Sequence, residues 1–194
     1  MQNKKLPEII DRQEANKLFK QINKRYIRGK RFYAICKLML NTGVRVAELC
    51  NLKTKDIDLD KKFLKVKKGK GGRDRLIPFP EDIIPCLEDW INEKAIRGIE
   101  SKYLFCSYSK GQEGKKLIPR YIQIALKQYG KKAGIEDLHP HTLRHSFATA
   151  IYQTDHNLEG LRMILGHSNI QTTQIYINLS MVDLRGTIKN FTSF

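Results

Sequence analysis

The sequence predicts an α+β fold that is mainly helical and contains one small three-stranded antiparallel sheet. Apolar residues recur at helical spacing through most of the chain. Between residues 56 and 79, three short segments instead alternate apolar and polar residues, as half-buried strands do. A glycine-rich stretch separates the last two of these segments, which is typical of a hairpin loop.

Helices are predicted on both sides of this sheet. The second helix shows the i, i+3, i+4, i+7, i+8 spacing of one buried face, in Phe32, Ile35, Cys36, Met39 and Leu40. A later helix is expected to bury Leu143, Phe147, Ala150 and Ile151. The predicted helices cover residues 11–26, 30–41, 44–49, 81–96, 119–132, 140–153, 158–165 and 172–177, with a short tail helix at 181–188.

The predicted strands lie at residues 56–59, 63–66 and 75–79, and prolines end the third of them. The hairpin loop between the second and third strands runs from Lys67 to Asp74 and places Lys70 between two glycines. The sheet is therefore expected as an insertion in an otherwise helical protein.

The net charge predicts an anionic partner. Across 194 residues, 36 Lys and Arg against 20 Asp and Glu give +16, with a pI near 9.8. Nucleic acid is the leading partner, because each phosphate that a basic group neutralises releases counterions. A solvated basic surface, a membrane-surface binder and a binder of acidic proteins remain the alternatives on charge alone.

The same reading excludes several other classes of protein. No stretch approaches the ~20 apolar residues of a transmembrane helix, and the start lacks a signal peptide's apolar run. Neither a nucleotide-binding motif nor a CxxC pair is present. The scattered cysteines suggest a reducing cytosol, without a disulfide framework or a zinc ribbon, and are Cys36, Cys50, Cys86 and Cys106.

Three segments carry residues suited to phosphate chemistry. Pro140 fits the first position of a helix on which His141 and Arg144 are i, i+3 neighbours, close to an N-terminus that favours anions. A zinc site is the weaker alternative there, because no local Cys or acidic residue supplements the histidines. The plain alternative is a His and an Arg that merely decorate the surface.

The other two segments lie far from the first in the sequence. In one, Gly166 ends a helix, His167 occupies the following turn, and Tyr176 falls late in a short helix. Taken alone, Tyr176 is one of eight tyrosines and fits a core aromatic equally well. In the other, Arg45 and Glu48 are i, i+3, a spacing also found in ordinary surface ion pairs.

Together and in this order, these residues resemble the tyrosine recombinases, the family of phage integrases and Xer-type recombinases. The resemblance extends from about Leu6 to Tyr176, and its most specific stretches read LRHSFAT and LGHSNIQTTQIY. It implies a mostly helical catalytic domain with a three-stranded sheet near the catalytic lysine. It also implies DNA strand transfer through a covalent phosphotyrosine, with no cofactor or metal.

The resemblance assigns a role to each candidate residue. Tyr176 would be the nucleophile, and Arg45 and Arg144 would clamp the phosphate oxygens. Lys70 would protonate the leaving 5′-oxygen, although Lys67 and Lys68 compete for that role. The remaining roles are a proton acceptor at His141, a phosphate hydrogen bond from His167, and orientation of Arg45 or His141 by Glu48.

The resemblance also sets expectations for domains and partners. Residues 1–194 are expected to form one catalytic domain, with a linker-like segment at 1–10 and a tail helix at 178–194. The N-terminal core-binding domain of most members is expected to be absent, either by excision or in a naturally short recombinase. The expected partner is double-stranded DNA, bound as a homotetramer, with a monomer when free and a cytoplasmic, nucleoid-associated location.

Three other functions remain open from the sequence. A type IB topoisomerase would use a similar tyrosine to relax supercoils without exchanging strands. A catalytically inert DNA-binding regulator could keep the same scaffold, although the complete residue set argues against it. A generic basic binding module is supported by the charge alone.

Overall fold

The computed structural model describes residues 8–67 and 74–166, with Asp155 described by its backbone alone. It is mainly helical and contains one three-stranded antiparallel sheet, which confirms the predicted α+β class. The strands are β1 (Ile57–Asp58), β2 (Phe63–Val66) and β3 (Arg75–Pro78). The helices are α1 (Arg12–Lys20), α2 (Ile27–Thr42), α3 (Val46–Asn51), α4 (Ile84–Ile96), α5 (Pro119–Ala133), α6 (Pro140–Asp155) and α7 (Leu158–Leu165).

The sheet has the strand order β1-β2-β3, with β2 in the centre. Leu64 of β2 lies opposite Ile57 on one side and Ile77 on the other. Leu64 and Ile77 are fully buried, so this face of the sheet packs on the helical core. Lys70, which lies between β2 and β3 in the sequence, is outside the described residues.

Helix α2 forms the centre of the core, between α4 and α6. Its predicted apolar face is confirmed, because Phe32, Ile35, Cys36 and Met39 are buried and Leu40 packs against them. The helix ends at Gly43, whose left-handed φ of 60° suits glycine. A Cβ at this position would collide with the Phe147 ring and lie 2.9 Å from a Leu165 methyl carbon. This close approach joins the end of α2 to α6 and α7.

Helix α4 anchors the segment that follows it through Trp90. The indole ring is fully buried and stacks on Phe105, with ring centroids 6.4 Å apart. The indole Nε1 donates a 2.7 Å hydrogen bond to the Leu104 carbonyl, so the only polar group of this buried ring has a partner. Residues 81–83, which we predicted as part of this helix, form a separate 3-10 turn before Pro85.

The first helix is shorter than predicted. A capping box of Asp11 and Glu14 begins it, but it ends at Lys20. Beyond it, the Asn23 side chain accepts a hydrogen bond from the Arg25 backbone, which favours a turn over further helix. Gly29 then lets the start of α2 approach this turn, because a Cβ there would collide with the Asn23 carbonyl.

A second apolar cluster joins α6 to α7 and contains Phe147, Ala148, Leu161 and Leu165. The expectation that Ala150 is buried is wrong, since it is exposed and Ala148 takes its place. The reason is that α6 packs between α2 and α7, which covers a different stripe of the helix than the one chosen from spacing. The predicted helices at 172–177 and 181–188, and the 178–194 tail, lie outside the described residues.

Within residues 8–67 and 74–166, we find no helix with the length and apolar character needed to span a membrane.

Candidate active site

Helix α6 places Arg144 below the surface. The helix begins at Pro140, and the preceding His139 caps it by accepting a 3.1 Å hydrogen bond from the Thr142 backbone at Nδ1. Arg144 lies in the second turn and is only 5% exposed. Its Nη1 donates to the Gly43 carbonyl, and its Nη2 donates to the Leu165 carbonyl at 2.9 Å. Arg144 is therefore not a surface decoration but a buried cation held by two backbone oxygens.

Helix α3 supplies the second cation and its carboxylate. Arg45 precedes the helix, and Glu48 in the first turn accepts from both its backbone N–H (2.9 Å) and its Nη1 (3.1 Å). The Arg45 side chain is 25% exposed and the Glu48 side chain 11% exposed. Glu48 thus contacts Arg45, and its predicted role in orienting Arg45 or His141 stays a prediction. Glu48 holds the guanidinium, while a quarter of the Arg45 side chain remains exposed.

Strand β3 contributes a third arginine, Arg75, that sequence reasoning did not identify. Its Nη1 and Nη2 donate to the two oxygens of Glu48 at 2.9 and 2.8 Å, a paired geometry that is strong and specific. Burial alone would raise the pKa of the Glu48 carboxyl, but hydrogen bonds from Arg75 and Arg45 hold that pKa below its usual value. Glu48 is thus an ionised carboxylate shared by two guanidinium groups.

The C-terminal end of α7 joins these arginines. Its last carbonyls accept from one arginine each: Ile164 from Arg75 Nε (2.8 Å), Leu165 from Arg144 Nη2 (2.9 Å), and Gly166 from Arg45 Nη2 (3.4 Å). The carbonyl end of a helix is partly negative, which favours this arrangement. We call Arg45, Arg75, Arg144, Glu48 and these three carbonyls the arginine cluster. Because its cations outnumber its carboxylate, the cluster is suited to an anion such as a phosphate.

Histidines of α6 lie next to the arginine cluster. The His141 ring lies 6.1 Å from that of His139 and 6.4 Å from that of His145, centroid to centroid. Desolvation, then the charges of His139, Arg144 and Arg45, lower the pKa of His141. The lowered pKa favours the neutral imidazole, which is the form that can accept a proton.

The partly buried His145 predicts a pH dependence of stability. Burial, with the nearby charges of His141 and Arg144, lowers its pKa to about 4. In the unfolded chain, His145 has an ordinary pKa of about 6.5. Between pH ~6.5 and 4 it is therefore protonated in the unfolded chain but not in the folded chain. Stability should therefore fall as the pH falls through this window, and thermal melts of His145→Asn should show a flatter decline.

His156→Asn is the matched control for this measurement. His156 is exposed at the end of α6 with a left-handed φ of 53°, which asparagine tolerates. The melting temperature of His156→Asn should fall with decreasing pH as steeply as that of the unmodified chain. An equal decline in His145→Asn would mean that His145 does not cause the effect.

The structure brings together the predicted site residues that it describes. Arg45, Glu48, His141 and Arg144 lie close together, and their catalytic roles stay predictions. Lys70, His167 and Tyr176 lie outside the described residues. His167 directly follows Gly166 in the sequence, and Lys70 lies between β2 and β3. In the part of the chain that the structure describes, no group of three His, Cys, Asp or Glu side chains is placed to hold a metal ion.

Comparison with known proteins identifies relatives of this chain. The model of the phage integrase family matches residues 8–182. The tyrosine recombinase XerA of Pyrococcus furiosus is 39% identical over 186 residues, which cover 96% of this chain and 62% of that protein. The chain thus spans about six tenths of the length of this relative.

Solved structures of similar proteins share the fold. A crystal structure of XerA recombinase superposes with a TM-score of 0.82 at 32% identity, covering 98% of this chain and 68% of that one. The XerH recombinase, in a post-cleavage complex with a palindromic difH substrate, gives a TM-score of 0.79 at 28% identity. The match covers 95% of this chain and 53% of that one. The family match over most of the chain, the identity to XerA and the shared fold lead to one conclusion: this chain belongs to the phage integrase family, whose members similar to it are named tyrosine recombinases.

Proposed function

We propose that this chain is the catalytic part of a site-specific DNA recombinase that cuts and rejoins strands through a covalent 3′-phosphotyrosyl link at Tyr176. The observation that carries the proposal is the arginine cluster, a preformed cationic site beside His141, whose pKa is lowered. Both Arg45 and Arg144 belong to this cluster. Its last carbonyl is that of Gly166, and His167 is the next residue in the sequence.

The proposed reaction begins with the tyrosine oxygen attacking the phosphorus of one DNA strand. The bond from phosphorus to the 5′-oxygen breaks, and a 3′-phosphotyrosyl link forms. A 5′-hydroxyl of another strand then attacks this link and releases the tyrosine. Each step exchanges one phosphate ester for another, so neither ATP nor a metal ion is needed for the energy balance.

Each described residue has a task in this reaction. The guanidinium groups of Arg45 and Arg144 bind the non-bridging oxygens, where charge grows in the transition state. His141 accepts the tyrosine proton, which its lowered pKa permits at neutral pH. On the strength of the family resemblance, Lys70 returns a proton to the leaving 5′-oxygen and His167 donates to the phosphate.

The proposed partner is double-stranded DNA, to which the chain binds as a homotetramer, with a monomer in its absence. The charge of +16 supports salt-dependent contact with the DNA backbone. The similar XerH structures, which hold difH substrates, support a DNA partner of the same kind. A cytoplasmic, nucleoid-associated location follows from that partner.

The test is a search for a covalent adduct with DNA. Nicked suicide duplexes would be tiled across the DNA that flanks the gene and across a palindromic dif-type site. We expect an SDS-resistant protein–DNA adduct without added metal or ATP, and its complete loss in Tyr176→Phe. The loss is expected because the phenyl ring lacks the attacking oxygen.

Tyr26→Phe is the matched control, since Tyr26 is 67% exposed at the start of α2. It should form the adduct as the unmodified chain does. An adduct that survives Tyr176→Phe would refute the assignment of the nucleophile. DNA binding without an adduct would favour an inert regulator, and plasmid relaxation without exchanged strands would favour topoisomerase activity.

A further inference from the structure

We infer that Arg75 is a positioning residue of this site, which holds Glu48 and the end of α7 so that Arg45 stays available to the phosphate. The inference rests on the proposed function. Arg75 is five residues beyond Lys70 and has no role in the family resemblance described above. Its role is inferred from its contacts with Glu48 and with the end of α7.

The first contact fixes the Glu48 carboxylate. Both oxygens of Glu48 accept from Arg75, at 2.9 and 2.8 Å, and both side chains are 11% exposed. A carboxylate this buried needs a charged partner, because an unpaired buried charge is costly. Arg75 meets this need by donating to both oxygens of the carboxylate.

This arrangement limits how strongly Glu48 attracts Arg45. With Arg75 in place, Glu48 takes only the Nη1 and backbone N–H of Arg45. Without Arg75, Arg45 would be the remaining guanidinium on a buried carboxylate, and Glu48 would compete with the phosphate for it. We therefore expect the loss of Arg75 to weaken transition-state binding by Arg45.

The second contact links the sheet to α7. Arg75 Nε donates to the Ile164 carbonyl at 2.8 Å, two residues before Gly166, whose carbonyl accepts from Arg45. Side-chain atoms of Arg75 also lie 3.1–3.3 Å from where a Cβ on Gly166 would stand. Arg75 therefore packs against the end of α7 and holds the Gly166 carbonyl in position beside Arg45.

The test compares Arg75→Gln, Arg75→Lys, Glu48→Gln and the double variant Arg75→Gln/Glu48→Gln in single-turnover cleavage of the suicide duplex. We expect Arg75→Gln to slow cleavage about 10–100-fold at saturating DNA, as a small misplacement of a catalytic group does. The dissociation constant for DNA should change less than about 3-fold, because the interaction acts mainly in the transition state.

Two readouts separate positioning from mere structural support. Adding Glu48→Gln should not slow Arg75→Gln further and should restore part of its rate, because the competing charge is gone. On a duplex with a neutral methylphosphonate at the scissile position, the Arg75→Gln penalty should shrink, since less charge needs to be compensated. A structural defect would act equally on both duplexes.

Controls keep the inference falsifiable. Arg97→Gln removes a different Arg–Glu pair, at the end of α4, and should cleave normally. Arg75→Lys keeps the charge but loses the paired geometry, so it should fold and still cleave slowly. Equal penalties on both duplexes, or penalties that multiply in the double variant, would overturn the inference. Absence of cleavage in the unmodified chain would instead refute the proposed function.

Discussion

Replacing Arg144 with lysine is expected to slow DNA cleavage by about 10²–10³-fold, the usual cost of losing one transition-state donor. The guanidinium of Arg144 donates to two carbonyls on different elements, Gly43 after α2 and Leu165 at the end of α7. A lysine ammonium has no planar fork, so it cannot hold both carbonyls and still present a donor to a phosphate. The measurement is single-turnover adduct formation at saturating DNA.

Arg162→Lys is the matched control for this substitution. Arg162 lies on α7, pairs with Glu159 and is 33% exposed in its side chain, so its replacement should change the rate less than about 2-fold. Circular dichroism would establish that both variants are folded. A normal cleavage rate in Arg144→Lys would assign Arg144 to the framework and leave the phosphate to other groups.

Replacing Trp90 with alanine is expected to lower the free energy of unfolding by about 3–5 kcal/mol. The indole is fully buried, stacks on Phe105 and donates to the Leu104 carbonyl, so alanine leaves both a cavity and an unpaired carbonyl. Against a typical stability of about 5–15 kcal/mol, this loss is large. Urea unfolding should be followed by circular dichroism, because Trp90 is the one tryptophan of the sequence.

Two further variants sharpen this result. Trp90→Phe keeps an aromatic ring for Phe105 and should lose less stability than Trp90→Ala. Ile96→Ala lies on the same helix but is 84% exposed, so it should change stability by less than about 0.5 kcal/mol. A similar loss in Ile96→Ala and Trp90→Ala would mean that burial of the indole does not cause the effect, since alanine favours helix more than either residue.

The class of fold and most of its elements could be predicted because the signals for them are local. The spacing of Phe32, Ile35 and Met39 defines one helix face, and the alternation around Leu64 defines the central strand. The ends of elements could be predicted less well. Helix α1 stops at Lys20, because the Asn23 side chain accepts from the Arg25 backbone N–H and favours a turn there. Periodicity also misplaced Ala150, because α6 has neighbours on two sides.

The sequence indicated individual residues of the candidate site, but not the hydrogen bonds that join them. Arg45, Glu48, His141 and Arg144 were identified from spacing and family resemblance, and they do lie close together. Arg75 was missed because an arginine in a short strand gives no local sign of a partner in α3 or α7. Strand alternation, which places Arg75 on the same face as the buried Ile77, is the signal that could have suggested it.

The arginine cluster also determines when the site can form during folding. Its bonds join residues separated by 27 positions for Arg75 and Glu48, 89 for Arg75 and Ile164, and 121 for Arg45 and Gly166. Contacts this distant in sequence form late, after the loops between them have closed. During synthesis, the cluster therefore cannot be completed until α7 has been made. A nascent chain can carry folded early helices without the arginine cluster, so the proposed phosphate-binding site is completed only after α7 has folded.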